Sequence, residues 1–284
     1  MKLAAIIVVY KPDIPQLESN ILSVIDDVDK LLIYRNSPFE CNETIIQSYK
    51  DKIEFLGDSK NVGIASALNE GVKWVSNNSY THLLTLDQDS YFEKLHLNKF
   101  KNLIENCVLD NIGIYCPNID NRGTLLLNTE EEFVYLPDSI TSGSVFPLSV
   151  FKDCGVFDDK LFIDAVDYEF CYRIFYNKQL KTLIFPSIVL RHEVGHLTKI
   201  RFGLYTDNYS AFRTYFIIRN HIIIWKKYPH LFQKSYKITL IRIHIIHRFI
   251  KIILGEEDKI AKLNSIIKGI YHGLLGKLEN KKIC

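Results

Sequence analysis

Along the first two thirds of the chain, short apolar runs alternate with segments of helical spacing. LAAIIVVY (3–10), KLLIYR (30–35), IEFLG (53–57) and HLLTLD (82–87) are mostly apolar and end near polar or loop-forming residues, as buried strands do. Between the first two lies PQLESNILSVIDDV (15–28); before the fourth, Ile64, Leu68, Val72 and Val75 recur at helical steps. This β-α-β-α-β order predicts a parallel, doubly wound sheet of the Rossmann type, with ligands bound outside the carboxyl ends of its strands. A helix over 93–107, a strand at GIYCP (113–117), an extended piece at TSGSVF (141–146), a helix over 164–177 and a strand at TLIFPSIVL (182–190) continue the α/β pattern. From about 207 the runs are helical with no strand between them. We place a boundary near 200: an α/β domain over 1–200, then a helical C-terminal region over 201–284.

Composition narrows the class. With 47% apolar and 24% charged residues in 284, the chain is an ordinary globular protein, neither collagenous nor disordered nor a disulfide scaffold. No run of about 18 uncharged apolar residues occurs, so no transmembrane helix is expected. MKLAAIIVVYKP reads as a first strand, not a signal peptide. The six cysteines form no CxxC pair, which suggests reduced thiols in the cytosol. A net charge of +2 hides a polarised chain: residues 199–284 carry +12 and residues 1–198 carry −10. Such a tail suits nucleic acid or anionic lipid, and its Ile and Phe content favours lipid.

Four constellations could carry chemistry. LDQDS (86–90) sets two carboxylates one residue apart at a strand end, where they reach a Mg²⁺ or Mn²⁺ ion or simply form a polar turn. NVGIASALNEG (61–71) opens a helix with Asn61 and Gly63, offering backbone N–H groups to a sugar or phosphate or only a glycine-permitted turn. In FDDKLFIDAVDYEFCYR (157–173), Asp167 is a carboxylate suited to general-base work. Asp164 is either a helix N-cap or part of a site, and Glu169 with Arg173 has the spacing of a surface ion pair. RHEVGH (191–196) supplies an imidazole able to complete a carboxylate metal site. Its HExxH spacing also matches zinc proteases, but the preceding strand and the Gly fit poorly with the helix that motif needs.

Together these pieces resemble the rhamnosyltransferase-like branch of the family 2, GT-A-fold glycosyltransferases. The matching stretches are VVYKPD (8–13), NVGIASALNEG, LTLDQDS (84–90), TSGSVFPLSVFKDCGVFDDKLFID (141–164), VDYEFCYR (166–173), LRHEVGH (190–196) and YFIIRNHIIIWKKYP (215–229), so the resemblance covers about residues 3–275. It implies an inverting, metal-dependent transferase that takes a nucleotide-sugar, dTDP-rhamnose above UDP-galactofuranose or a UDP-hexose, to a saccharide acceptor; the alternative outside the enzymes is a non-catalytic glycan- or nucleotide-binding protein that keeps the fold. Tyr10, Asn61, Gly63, Ala65, Asn69 and Asp87 would form the nucleotide-sugar site. Asp89, with Asp87 and His192, would hold Mg²⁺ or Mn²⁺. Asp167 would be the catalytic base, with Val166 where the family has Glu. Asp164, Glu169 and Arg173 would support the acceptor side. One departure is Arg35, which stands where the family has an Asp that reads the nucleotide base, and an Arg cannot accept that hydrogen bond.

Residues 232–254 read as one helix in which Lys237, His244, Arg248 and Lys251 make a cationic stripe against Ile, Leu and Phe. This predicts either a helix lying on an anionic membrane surface or one packed on the catalytic domain with its basic face in water. For an enzyme of bacterial surface polysaccharide such as O-antigen or capsule, the resemblance implies a polyprenyl-diphosphate-linked acceptor. The location expected is cytoplasmic, peripheral on the cytosolic face of the membrane. A homo-oligomer is compatible with the helical region, and no nucleic-acid partner is expected.

Overall fold

The computed structural model describes residues 1–192, 198–199, 203, 205–232 and 234–278. They fall into two compact units: Met1–Phe157 with Phe170–Glu193, and Asp158–Glu169 with Val194–Cys284.

The first unit runs β1 (Leu3–Val9), α1 (Ile14–Val24), β2 (Lys30–Arg35), α2 (Glu43–Ser48), β3 (Ile53–Leu56), α3 (Ile64–Asn77), β4 (His82–Asp87), β5 (Ser90–Phe92), α4 (His96–Glu105) and β6 (Ile112–Asn121). It continues through β7 (Thr124–Leu125), β8 (Val134–Leu136), β9 (Val145–Pro147), α5 (Leu148–Cys154), most of α6 (Val166–Lys178) and β10 (Lys181–His192). Strands lie in the order β3-β2-β1-β4-β9-β6-β10-β5, with β7 beside β6 and β8 beside β10. The β3-β2-β1-β4 block and the β6–β10 pair are parallel, whereas β9 and β5 run antiparallel to their neighbours. This is the predicted mostly parallel sheet with flanking helices. Every residue of β1 is buried, because helices cover both faces of a parallel block. α1 starts where Asp13 accepts a hydrogen bond from the Gln16 N–H and Pro15 occupies the first turn. α3 starts at Gly63, whose φ of 83° and ψ of 165° suit only glycine.

In the second unit, β11 (Thr198–Lys199) pairs with β12 (Tyr205–Thr206), followed by α7 (Ala211–Lys227). A continuous helical path then comprises α8 (Lys234–Thr239), a π-helical stretch (Leu240–His247) and α9 (Arg248–Gly255), and α10 (Lys259–Leu275) ends the described chain. α10 packs tightly on α7 through Gly269 and Gly273, where a Cβ would come within 3.0 Å of the Tyr215 carbonyl and 2.8 Å of Ile222. Thus 234–255 is helical as expected, but its sidedness is the reverse of the solvated cationic stripe. Arg248 is buried, bonded to Glu256 Oε1 at 2.7 Å and to the Tyr209 carbonyl at 2.6 Å. Lys237 donates to the Pro229 carbonyl. Water instead meets Ile238, Ile241, Ile246, Phe249, Ile250 and Ile253, each about half exposed. A buried acid at Glu256 draws the basic side inward, and hydropathy spacing carries no sign of that partner.

Candidate active site

The end of β4 carries the strongest constellation. β1 beside it fixes Asp87 opposite Val8, and the antiparallel pairing of β5 with β10 places His192 opposite Ser90. Asp87, Asp89 and His192 thereby offer three ligand atoms within 4.8 Å of one another. The backbone of this turn is held from several sides. Asn20 Nδ2 donates to the Asp87 carbonyl at 2.6 Å and Gln16 Nε2 to that of Asp89 at 3.4 Å. Gln88 accepts from the Tyr10 N–H at 2.7 Å and donates to its carbonyl at 3.2 Å. Ser142 Oγ accepts from the Asp87 N–H at 3.0 Å and donates to Ser90 Oγ at 2.8 Å, which lies 2.7 Å from His192 Nδ1. In the tautomer that donates Nδ1–H to Ser90, Nε2 keeps the lone pair a metal ligand needs. Two carboxylates and an imidazole with supporting hydrogen bonds fit a divalent cation of the Mn²⁺ or Mg²⁺ type.

The predicted nucleotide-sugar residues divide. Tyr10 is partly exposed at the end of β1, beside Gln88. Asn61 Oδ1 accepts from the Gly63 N–H at 3.1 Å and from Asn36 Nδ2 at 3.2 Å, while Asn36 Oδ1 accepts from the Val62 N–H at 2.8 Å. This shapes the loop that opens α3. Ala65, by contrast, is fully buried and offers a ligand no surface. The Asn69 amide is tied both ways to the Phe157 backbone at 2.9 Å, a strut between α3 and the chain at Phe157. Arg35, at the end of β2, lies over the Phe55 ring with its guanidinium 4.1 Å from the centroid.

Within the second unit, Asp164 is not an N-cap: α6 begins at Val166, and Asp164 and Ala165 both have positive φ, near 61° and 64°. Its carboxylate accepts from Arg213 Nη2 at 3.1 Å. Burial raises the Asp164 pKa despite that cation. Asp167 stands in the first turn of α6, half-buried, with Oδ1 accepting from the Tyr168 N–H at 3.0 Å. Glu169 is buried, which corrects the surface-pair reading: Lys227 Nζ donates to it at 2.8 Å and Tyr228 Oη at 3.0 Å. In the first unit, Arg173 donates to the Cys154 and Val156 carbonyls. The Glu193–His196 part of the HExxH match lies outside the described residues.

Sequence reasoning passed over Asn20, Asn36, Ser142, Arg219 and Asn220. Asn220 Nδ2 lies 2.8–2.9 Å from the carbonyls of Leu161, Ile163 and Asp164, and Arg219 Nη2 lies 2.9 Å from that of Lys160. The pair thus holds the irregular segment that leads into Asp167. The available signal was a polar pair inside the apolar run YFIIRNHIII, and Asn20 likewise interrupts the Leu17–Ile21–Val24 stripe.

No family model matches the chain. It is 25% identical over 293 residues to the dTDP-rhamnosyl transferase RfbF of Shigella flexneri, a match covering 96% of this chain and 95% of that protein. Among solved structures, GalNAc-T7 with UDP, GalNAc and Mn²⁺ superposes with a TM-score of 0.58 at 13% identity, over 86% of this chain and 55% of that one. S. aureus TarS gives 0.55 at 12% identity over 89% and 47%, and its 1–349 fragment 0.55 at 12% over 95% and 81%. The chain therefore spans about half the length of GalNAc-T7 and of full TarS. Such identities between structures speak for the fold, and the full-length sequence match speaks for the enzyme class. By both, the chain is a glycosyltransferase with a GT-A-like fold, rhamnosyltransferase-like in sequence.

Proposed function

We propose that the protein transfers L-rhamnose from dTDP-rhamnose, with inversion, to a lipid-linked saccharide acceptor at the cytosolic membrane surface. The observation that carries this reading is the Asp87–Asp89–His192 cluster at the end of β4, taken with the likeness to a dTDP-rhamnosyl transferase. Those three residues would hold the ion, and a divalent cation there offsets the charge of a nucleoside diphosphate as it leaves. Asp167 takes the proton of the acceptor hydroxyl while that oxygen bonds to the anomeric carbon and the carbon–diphosphate bond breaks with its electron pair going to the diphosphate. The outward isoleucines of the C-terminal helices support the membrane placement. A second reading on the same fold is a UDP-sugar galactofuranosyl or hexosyl transferase; Arg35 fits it no worse, since uracil and thymine present the same N3–H that an Arg cannot accept.

A thermal-shift screen of dTDP-rhamnose, UDP-galactofuranose, UDP-glucose and GDP-mannose, with and without Mn²⁺, separates these readings, because stabilisation follows donor affinity. A Mn²⁺-dependent shift with dTDP-rhamnose alone is expected, and a shift only with a UDP-sugar selects the second. Asp89→Ala should abolish the metal-dependent shift. Asp167→Asn should keep it while losing on the order of 10²–10⁴ in turnover; near-normal turnover by Asp167→Asn removes the base assignment.

A further inference from the structure

A pocket of about 460 Å³, its mouth included, opens within the second unit, lined by Thr206, Asp207, Tyr209, Ile243, Arg248 and Lys251 among others. Three features set it apart. First, its charge is unbalanced. Buried Glu256 is shared by two buried cations, Arg248 Nη1 at 2.7 Å and Lys262 Nζ at 2.9 Å, so that cluster keeps one surplus positive charge. Asp207 also lines the pocket and acts on Arg248, but Lys251 lines it too, so these five charges still sum to one positive. Second, Arg248 is 7% exposed, and its Nε–H has no hydrogen-bond partner although both Nη atoms are bonded. An orphaned buried donor on a cation is costly and rare. Third, the wall carrying Ile243 and His244 is the π-helical stretch, an irregularity found frequently at functional sites.

Ile243 both lines the pocket and stays half exposed, continuous along the helix with exposed Ile241, Ile246 and Ile250. A cationic recess bordered by outward isoleucines matches an anionic group carried on an apolar chain. We propose that this pocket binds the phosphate or diphosphate of an amphiphilic acceptor, with the apolar chain lying along the isoleucine face of the C-terminal helices. The choice of an acceptor as occupant rests on the transferase reading above; the pocket's charge and orphaned donor do not.

The test is calorimetric titration of the full chain, in EDTA so that no ion occupies the Asp87–Asp89–His192 cluster, with farnesyl diphosphate and with inorganic pyrophosphate. Farnesyl diphosphate should bind with a Kd at least about ten-fold lower than pyrophosphate. Lys251→Glu should weaken both ligands by at least about ten-fold, and Ile243→Asn should weaken only farnesyl diphosphate. Absence of saturable binding, or a Kd unchanged in Lys251→Glu, overturns the site. Equal affinity for the two ligands overturns the amphiphile and makes free phosphate the source. The donor thermal shift with Mn²⁺, run on the same proteins, keeps the two readings apart. If that shift persists while farnesyl diphosphate fails to bind, only the pocket falls; if it is absent while farnesyl diphosphate binds, only the donor assignment falls.

Discussion

Whether a polar side chain is available to a ligand depends on what already holds it. Asn69 sits in a motif shared with nucleotide-sugar enzymes, yet its amide faces the Phe157 backbone. Asn69→Ala should lower stability by about 1–3 kcal/mol, through two lost hydrogen bonds and the unpaired backbone they leave, with donor affinity unchanged in the same titration. Asn220→Ala should behave differently. It leaves carbonyls of the 161–164 segment unpaired, and turnover should fall more than donor binding because that segment leads into Asp167. Equal loss in kcat and donor affinity would argue for general destabilisation instead. Part of the candidate site was legible at this scale: the resemblance carried by the DQD and RHE motifs named Asp87, Asp89 and His192, and the structure brings the three together. Their supports were not: Ser142 acts 55 residues from Asp87, and no spacing rule spans that distance.

At the scale of elements, the strands of the parallel block could be read because burial on both faces makes them continuous apolar runs. β9 was legible only as an extended piece: three residues long, it runs antiparallel between β4 and β6. The helical path 234–255 was legible in extent and not in sidedness, because cation direction follows a buried acid, not periodicity. That path and α7 also carry a pH dependence. His221 of α7 and His244 of the π stretch have pKa values pushed down to about 4 by burial, and their rings stack 5.9 Å apart. In the unfolded chain both titrate near the ordinary value of about 6.5. The unfolded state therefore takes up protons first as pH falls. The stability these residues contribute is complete above about 6.5, declines as pH drops, and is gone below about 4. Urea denaturation should show the helical unit less stable at pH 5 than at pH 7. His221→Phe, which keeps a ring against Tyr168 and Tyr236, should flatten that slope; an unchanged slope assigns the acid sensitivity elsewhere.

For the whole molecule, the C-terminal helices turn many apolar side chains outward: Ile238, Ile241, Ile246, Phe249, Ile250 and Ile253, and on α10 Ile260, Ile267, Tyr271 and Leu274. Exposed apolar side chains in this number on one helical region point to an interaction surface. No helix among the described residues is long and apolar enough to cross a membrane, so contact with lipid would be lateral. The protein should float with vesicles containing anionic lipid, and Ile246→Glu with Ile250→Glu should lose flotation while keeping the donor thermal shift. Flotation unaffected by those changes would dismiss the face as the docking surface. The partition of the chain is less legible: Asp158–Glu169 belongs with the second unit, so no single cut in a linear sequence separates the two.

The pairing of Ser90 with His192 has a consequence for how the protein comes into being. The two residues are 102 positions apart, and closing a loop of that length comes late in folding because its entropy cost precedes its reward. A chain emerging from the ribosome displays both carboxylates of the DQD turn long before the imidazole arrives. The ligand set is complete only after β10 has emerged and zipped against β5. Ion capture by all three residues would then act as a timer, reporting that the sheet has closed and adding its binding energy to the last strand to join.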